Sequence, residues 1–169
     1  GYYSDYTKFS DSEAEAIRRY YDYMIRYENL FFDPELQDVT MTHTGWDNYE
    51  YQCTSHKVSS YGEAGKIWMI LREKDYRKCI YLLNLCGQSE DYWNEGKEEP
   101  NIQKDIKFTV QVDTPVEKIC FSTPDGKNMD AVELLFTERA TRTGKFIDFT
   151  VPSLNYWTTI WIDTRKETI

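Results

Sequence analysis

Basic charge is scarce in this chain. Lys and Arg together number 20 against 29 Asp and Glu, a formal net charge of −9 with histidine neutral. Nucleic-acid and anionic-membrane surfaces draw affinity from excess positive charge, so neither is expected as a partner. Histidine is scarcer still: His43 in MTHTGW and His56 in CTSHKV are the two present. Both lie in polar, loop-like stretches, where an exposed, non-catalytic ring is expected. The four cysteines (Cys53, Cys79, Cys86 and Cys120) form no CxxC pair. With two histidines to complete a ligand set, no zinc site is expected. Cys79, Cys86 and Cys120 sit in or beside apolar runs and read as small buried hydrophobes, with a single bridge left open as the alternative. No stretch approaches the ~18 apolar residues of a membrane span. The start, GYYSDYTKFSDSEAE, lacks the basic-then-apolar form of a signal peptide. Gly1 in place of Met is expected to be either a residue left by cloning or the edge of an excised piece of a longer protein.

Chemistry-bearing patterns are also thin. There is no GxSxG elbow for a nucleophilic serine, and the glycines are scattered without a phosphate-cradling spacing. Glycan hydrolysis needs two carboxylates a few ångströms apart, one with a raised pKa. The acidic residues fall mostly on solvated helix faces or in turns. Asp47, Asp91 and Asp148 are the least ordinary, and a surface or turn role is expected for each. No catalytic residue, metal site or cofactor is assigned.

What the chain does have is aromatic material. Hydrophobic residues make up 40% of its 169 residues and aromatics 16%, with 14 Tyr and 5 Trp. That is ample for the core of one ordered domain. Ser10-Asp11-Ser12-Glu13 is a capping box, which predicts a helix start. Ile17, Tyr20, Tyr21, Met24, Tyr27 and Phe31 then recur at helical spacing, and Asp33-Pro34 ends the run. A helix over 10–32 is expected, docking through Ile17, Tyr21, Met24 and Phe31.

After position 38 the texture becomes that of strands. GKIWMILRE (65–73) and RKCIYLLNL (77–85) flank Lys74-Asp75-Tyr76 and read as a hairpin. Ile106, Phe108, Val110 and Val112 alternate with polar residues. Further strands are expected at 116–121, 132–138, 145–151 and 156–162, with turns at 123–128, 143–144 and 151–153. The stretch 39–60 holds one or two more. Seven to nine antiparallel strands with no second long helix predict a mainly β fold. It is a β-sandwich, with a barrel as the alternative, preceded by one long N-terminal α-helix. Residues 1–38 form the helical segment and 39–169 the sandwich. The polar stretch 87–105 is longer than an ordinary connection.

Exposed rings could stack on sugar faces. Trp46 and Tyr49, together with Tyr92 and Trp93 in the long loop, are the candidate carbohydrate-binding residues. Trp68, Trp157 and Trp161 lie in strands and read as core or interlayer residues. Tyr2, Tyr3, Tyr6 and Phe9, with the Tyr20–Tyr27 face, are expected to form an apolar patch.

Several segments, taken in order, resemble a known family: RRYYDYMIRYENLFFD (18–33), SSYGEAGKIWMILRE (59–73), YLLNLCG (81–87) and FIDFTVPSLNYWTTIWI (146–162). Together they are similar to the C-terminal part of glycoside hydrolase family 66, which contains dextranases and cycloisomaltooligosaccharide glucanotransferases. The resemblance implies a (β/α)8 catalytic barrel followed by a Greek-key β-sandwich. Residues 10–32 then match the last barrel helix and 39–163 the sandwich. The family's nucleophile Asp and acid/base Glu lie in the barrel, upstream of anything that matches here, so this chain alone is expected to be no enzyme. Its implied partner is the parent's barrel, which it packs against and stabilises, in a bacterial protein outside the cell or on its surface. A carbohydrate-binding module recognising α-glucan through Trp46, Tyr49, Tyr92 and Trp93 is the alternative. Separated from its barrel, the apolar patch is expected to pair with a second copy, giving a homodimer through the helix.

Overall fold

The computed structural model describes residues 7–44, 48–92 and 94–165. The capping box forms as expected. Ser10 Oγ accepts from the Glu13 N–H at 3.3 Å, and the Glu13 carboxylate accepts from the Ser10 N–H at 2.8 Å. Two otherwise orphaned donors are satisfied, and α1 runs Asp11–Arg26. Tyr27, at φ −113° and ψ 33°, interrupts the helix before a short α2 (Glu28–Phe31). The expected single helix is therefore two pieces. Asp33 then closes a turn by accepting from the Glu35 N–H at 2.9 Å.

Eleven strands follow among the described residues, in two sheets, with α3 (Thr40–His43) between the first two. The larger sheet is built from β1 (Gln37–Asp38), β4 (Ile67–Lys74), β5 (Arg77–Asn84), β11 (Trp157–Thr164), β7 (Val116–Ser122) and β8 (Val132–Leu134), in that order. A short β3 (Val58–Ser59) pairs parallel with β4 on the same edge as β1. The smaller sheet is ordered β2 (Tyr51–Cys53), β6 (Gln103–Gln111), β10 (Gly144–Leu154), β9 (Phe136–Thr141). All remaining pairs are antiparallel, and the chain switches sheets repeatedly, as a Greek-key sandwich requires. Lys74 pairs with Arg77, so the expected hairpin has a two-residue loop.

The core lies between the sheets. Ile67, Met69 and Leu71 of β4, Ile80 and Leu82 of β5, and Ile160 and Ile162 of β11 meet Ile106, Phe108 and Val110 of β6 and Ile147, Phe149 and Val151 of β10. A second cluster forms on the opposite face of the larger sheet. There Cys79, Tyr81, Cys120 and Trp161 are covered by Tyr23, Tyr27, Leu30 and Leu36. The molecule thus has three layers: helix, seven-stranded sheet, four-stranded sheet. β5 and β11 are buried on both faces, which is why KCIYLLN and TTIWI read as continuous rather than alternating apolar runs.

Four expectations change. Residues 132–138 are not one strand: β8 and β9 belong to different sheets, and Leu135 is the crossing residue. The turn expected at 151–153 is absent, because β10 runs through Pro152. Its pairing with β9 ends at Phe149, so Pro152 has a neighbouring strand on one side only, where a missing N–H costs little. The helix docks through Tyr23, Tyr27, Leu30 and part of Phe31, while Ile17 and Tyr21 face outward. The strand count is eleven rather than seven to nine, because 132–138 divides into β8 and β9 and β1 precedes the stretch 39–60. Among the described residues, no helix is long and apolar enough to cross a membrane.

Candidate functional site

Of the four candidate carbohydrate-binding residues, Tyr49 and Tyr92 fall among the described residues, and Trp46 and Trp93 lie outside them. Tyr49 stands just before β2, where the Glu50 carbonyl accepts from the Gln111 N–H at 2.8 Å. Its half-exposed ring lies 6.2 Å from that of Phe146. The Arg139 guanidinium covers Phe146 at 5.1 Å and donates from Nε to Asp148 Oδ2 at 2.9 Å. Thr109 Oγ1 donates to the other Asp148 oxygen. These residues share the outer face of the smaller sheet, which no helix among the described residues covers. An open groove of about 630 Å3 on that face is lined by Lys107, Thr109, Thr137, Asp148 and Thr150, with Leu135 at its rim.

Tyr92 is elsewhere. It belongs to the loop between β5 and β6, whose neck is closed by the Asn101 N–H donating to the Cys86 carbonyl at 2.9 Å. Buried Asn84 fixes that neck: its Nδ2 donates to the carbonyls of Asn101 at 2.9 Å and Asn155 at 2.7 Å, and its Oδ1 accepts from the Cys86 N–H at 3.0 Å. This is the Leu154 end of β10, whereas Tyr49 sits at the Phe146 end. Eight strand residues separate the ends, roughly 27 Å at ~3.4 Å per residue. Tyr49 and Tyr92 therefore do not stand in one row of rings.

Two of the strand tryptophans, Trp157 and Trp161, behave as interlayer residues. Trp157 is enclosed by Tyr20, Tyr23 and Phe31, with ring centroids at 6.0, 5.1 and 5.2 Å, and Trp161 lies under Tyr27 at 5.6 Å. The tyrosine hydroxyls of this seam all find backbone or carboxylate partners. Tyr23 donates to the Ser122 carbonyl at 3.0 Å, Tyr27 to that of Met129 at 2.5 Å, and Tyr81 to that of Leu30. Tyr20 donates to Asp125, which also accepts from the Tyr156 and Trp157 N–H groups at 2.8 Å each. Burial pushes the Tyr23 phenol up to about 12, so it stays a donor across the physiological range.

Among the carboxylates, Asp91 is exposed, Asp148 is ion-paired as described, and Asp47 lies outside the described residues. Among the described residues, the carboxylates whose ionisation is shifted are all shifted downward. Burial disfavours the Glu73 anion. The Lys78 charge, a Lys78 hydrogen bond at 2.7 Å and the Tyr51 hydroxyl at 2.6 Å outweigh it and hold the group low. Lys74 does the same to Asp33, Lys66 to Glu63 and Lys97 to Glu90. A general acid needs the opposite shift. Tyr51, itself pushed well up by burial and by Glu73, reaches from the smaller sheet to the larger. Sequence reasoning missed this bridge. The available signal was the hairpin register, since a two-residue loop places Glu73 directly opposite Lys78.

His43 lies on α3 rather than in a loop, half-buried with its ring 6.3 Å from Tyr51, and the ring of His56 meets Ser55 Oγ at 2.7 Å. The four cysteines are free thiols. Cys79 and Cys120 are buried as expected, and Cys86 is partly so. Among the described residues, no three His, Cys, Asp or Glu side chains gather as a metal site.

Comparison with known proteins bears on what this arrangement serves. The sequence profile of glycosyl hydrolase family 66 matches residues 1–161. Two cycloisomaltooligosaccharide glucanotransferases of Niallia circulans are 29% and 25% identical to it over 164 residues. Each alignment covers 95% of this chain and 16% of the relative, so the chain spans about one sixth of their length. The structure of a Paenibacillus cycloisomaltooligosaccharide glucanotransferase, complexed with cycloisomaltoheptaose, shares the fold with a TM-score of 0.79 at 21% identity. That likeness covers 94% of this chain and 23% of the other.

Proposed function

The chain belongs to glycosyl hydrolase family 66, and we propose that it is the non-catalytic β-sandwich unit of a longer, dextranase-like enzyme acting on α-glucan. Its role is to pack against the catalytic barrel and stabilise it, outside the cell or on its surface. The observation that carries this reading is the state of the carboxylates. Glu73, Asp33, Glu63 and Glu90 are each held ionised by a lysine, in service of the fold rather than of proton transfer. The fraction of the relatives spanned supports it too, since it leaves five sixths of their length to house the chemistry. The test is reducing-sugar release from dextran by the purified 169-residue chain, expected to equal the buffer blank. Release that disappears on replacing one Asp or Glu of this chain overturns the reading.

A second reading has one observation in its favour. Tyr49 stands half-exposed against Phe146 on the uncovered sheet face, and the open groove on that face offers acceptors and donors from Asp148, Lys107 and Thr109. A neutral polyhydroxy ligand such as a short α-glucan suits that surface. Calorimetric titration with isomaltooligosaccharides decides it. Heat of binding lost in Tyr49→Ala or Trp46→Ala supports a sugar site on this face, and loss in Tyr92→Ala or Trp93→Ala places it at the other end. Absence of heat in the parent chain rejects both.

A further inference from the structure

Exposed apolar side chains gather at one end of the sandwich. Tyr61, Tyr92, Ile102 and Tyr156 are 59%, 65%, 58% and 41% exposed. The backbone brings their segments together. Asn84 Nδ2 joins the carbonyls that precede Ile102 and Tyr156, and the Leu85 carbonyl accepts from the Gly65 N–H at 2.9 Å, holding the Tyr61 turn against the same strand end. Tyr92 stands in the loop that leaves this strand end. That loop, residues 86–101, sets five carboxylates against one lysine, a net −4 within a chain of net −9. Lys97 is taken up by Glu90 and the Tyr92 carbonyl. Asp91, Glu95, Glu98 and Glu99 are exposed, with no side-chain hydrogen bond or ion pair among the described residues. Burial, then the charges of Glu99 and Asp125, push the Tyr156 phenol up, so both carboxylates lie near that ring. The opposite end, at the β4–β5 hairpin, is arranged differently: Asp33, Glu73 and Asp163 are paired there with Lys74, Lys78 and Arg77.

We propose that this end of the sandwich is a docking surface for a lysine- and arginine-rich segment of a separate partner protein. Charge complementarity selects that occupant. An ionised carboxylate only accepts hydrogen bonds, whereas a sugar hydroxyl both donates and accepts. A rim of four unpaired acceptors is therefore matched by ammonium and guanidinium groups, which only donate. The tyrosine faces complete the match, because they attract those cations and pack against their apolar stems. A second copy of this chain is disfavoured, since it would bring the same negative loop to the contact. The sugar reading at Tyr49 concerns the other end of β10 and stands or falls separately.

The experiment titrates the isotope-labelled 169-residue chain with a peptide of alternating Lys and Arg, read by backbone amide chemical shifts. Salt is held at about 150 mM, where the Debye length is ~8 Å and diffuse attraction to the net charge is screened. Shifts should concentrate at residues 61, 86–102 and 156. Tyr92→Ala/Tyr156→Ala leaves the charge unchanged and should weaken binding about five- to thirtyfold, as the loss of two exposed cation–π contacts requires. Glu117→Gln/Glu138→Gln removes two charges away from this end and should change affinity less than twofold. Shifts spread over the whole surface overturn the proposal. So does a loss in the tyrosine variant no larger than in the glutamate variant, since either result reduces the contact to diffuse charge. Absence of binding overturns it as well. Isomaltooligosaccharides are the comparison ligand: shifts at the same residues with them, and none with the peptide, would make this a sugar site instead.

Discussion

Replacing Tyr23 by alanine asks whether α1 is part of the cooperative fold or merely lies on it. Tyr23 is fully buried, with its ring 5.0 Å from that of Tyr27, 5.8 Å from Phe31 and 5.1 Å edge-on from Trp157, and its hydroxyl on the Ser122 carbonyl. Truncating a buried aromatic side chain costs about 3–5 kcal/mol, from lost transfer energy and the cavity left behind. For a chain of this size each kcal/mol moves the melting temperature by about 2–4 °C, so a fall of roughly 6–20 °C is expected. Tyr23→Phe separates the hydroxyl from the ring and should cost only about 1 kcal/mol. Tyr21→Ala, two residues away on the outer seam and 60% exposed, should stay within about 0.5 kcal/mol in the isolated chain. Urea unfolding followed by tryptophan fluorescence is the natural assay, because Trp157 and Trp161 line this seam. If Tyr23→Ala and Tyr21→Ala cost the same, the helix is not docked as described and the three-layer account is wrong.

Asn84→Ala should cost about 2–4 kcal/mol, because it strands the Asn155 carbonyl and the Cys86 N–H at once and leaves the Asn101 carbonyl to Gln103 Nε2 alone, and it should speed proteolysis between residues 87 and 100. Unchanged stability would show that the loop neck is held by something other than this side chain. Glu73 has a depressed folded pKa, so its stabilisation is complete above the ordinary glutamate value of about 4.3 and is lost as pH falls below it. In Glu73→Gln the stability curve between about pH 5 and 3 should be flatter than in the parent, measured by urea midpoints; parallel curves would contradict the ion pair. Burial pushes the Cys79 thiol up to about 11, and together with steric cover this should make it the slowest of the four to react in a native iodoacetamide pulse read by peptide mass spectrometry. Labelling of Cys79 as fast as Cys53 would refute its placement under the helix.

Local chemistry determined a good deal. The capping box at Ser10–Glu13 needs only residues three apart, and the Lys74-Asp75-Tyr76-Arg77 hairpin needs only a short turn between β-rich runs, so both were legible before any folding was considered. The ordered segments YENL, GKIW, LLNL and TVPSLNYW likewise carried the family resemblance, and with it the sandwich. What periodicity could not settle was which of two adjacent apolar seams on α1 faces the sheet. Tyr21 and Tyr23 are chemically identical, and both satisfy a 3–4 spacing. Only the sheet beneath, with Trp157, Trp161 and the Ser122 carbonyl in position, selects Tyr23. The same holds at Leu135, where one strand pattern became two strands in different sheets, and at Pro152, where a turn signal was absorbed into β10 because the neighbouring strand had already ended. The separation of Tyr49 from Tyr92 belongs to this class as well. Sequence groups rings by type, whereas β10 puts them at opposite ends of a strand segment roughly 27 Å long. Each of these outcomes depends on contacts between residues distant in the chain, which exist only once both sheets and the helix have closed on one another.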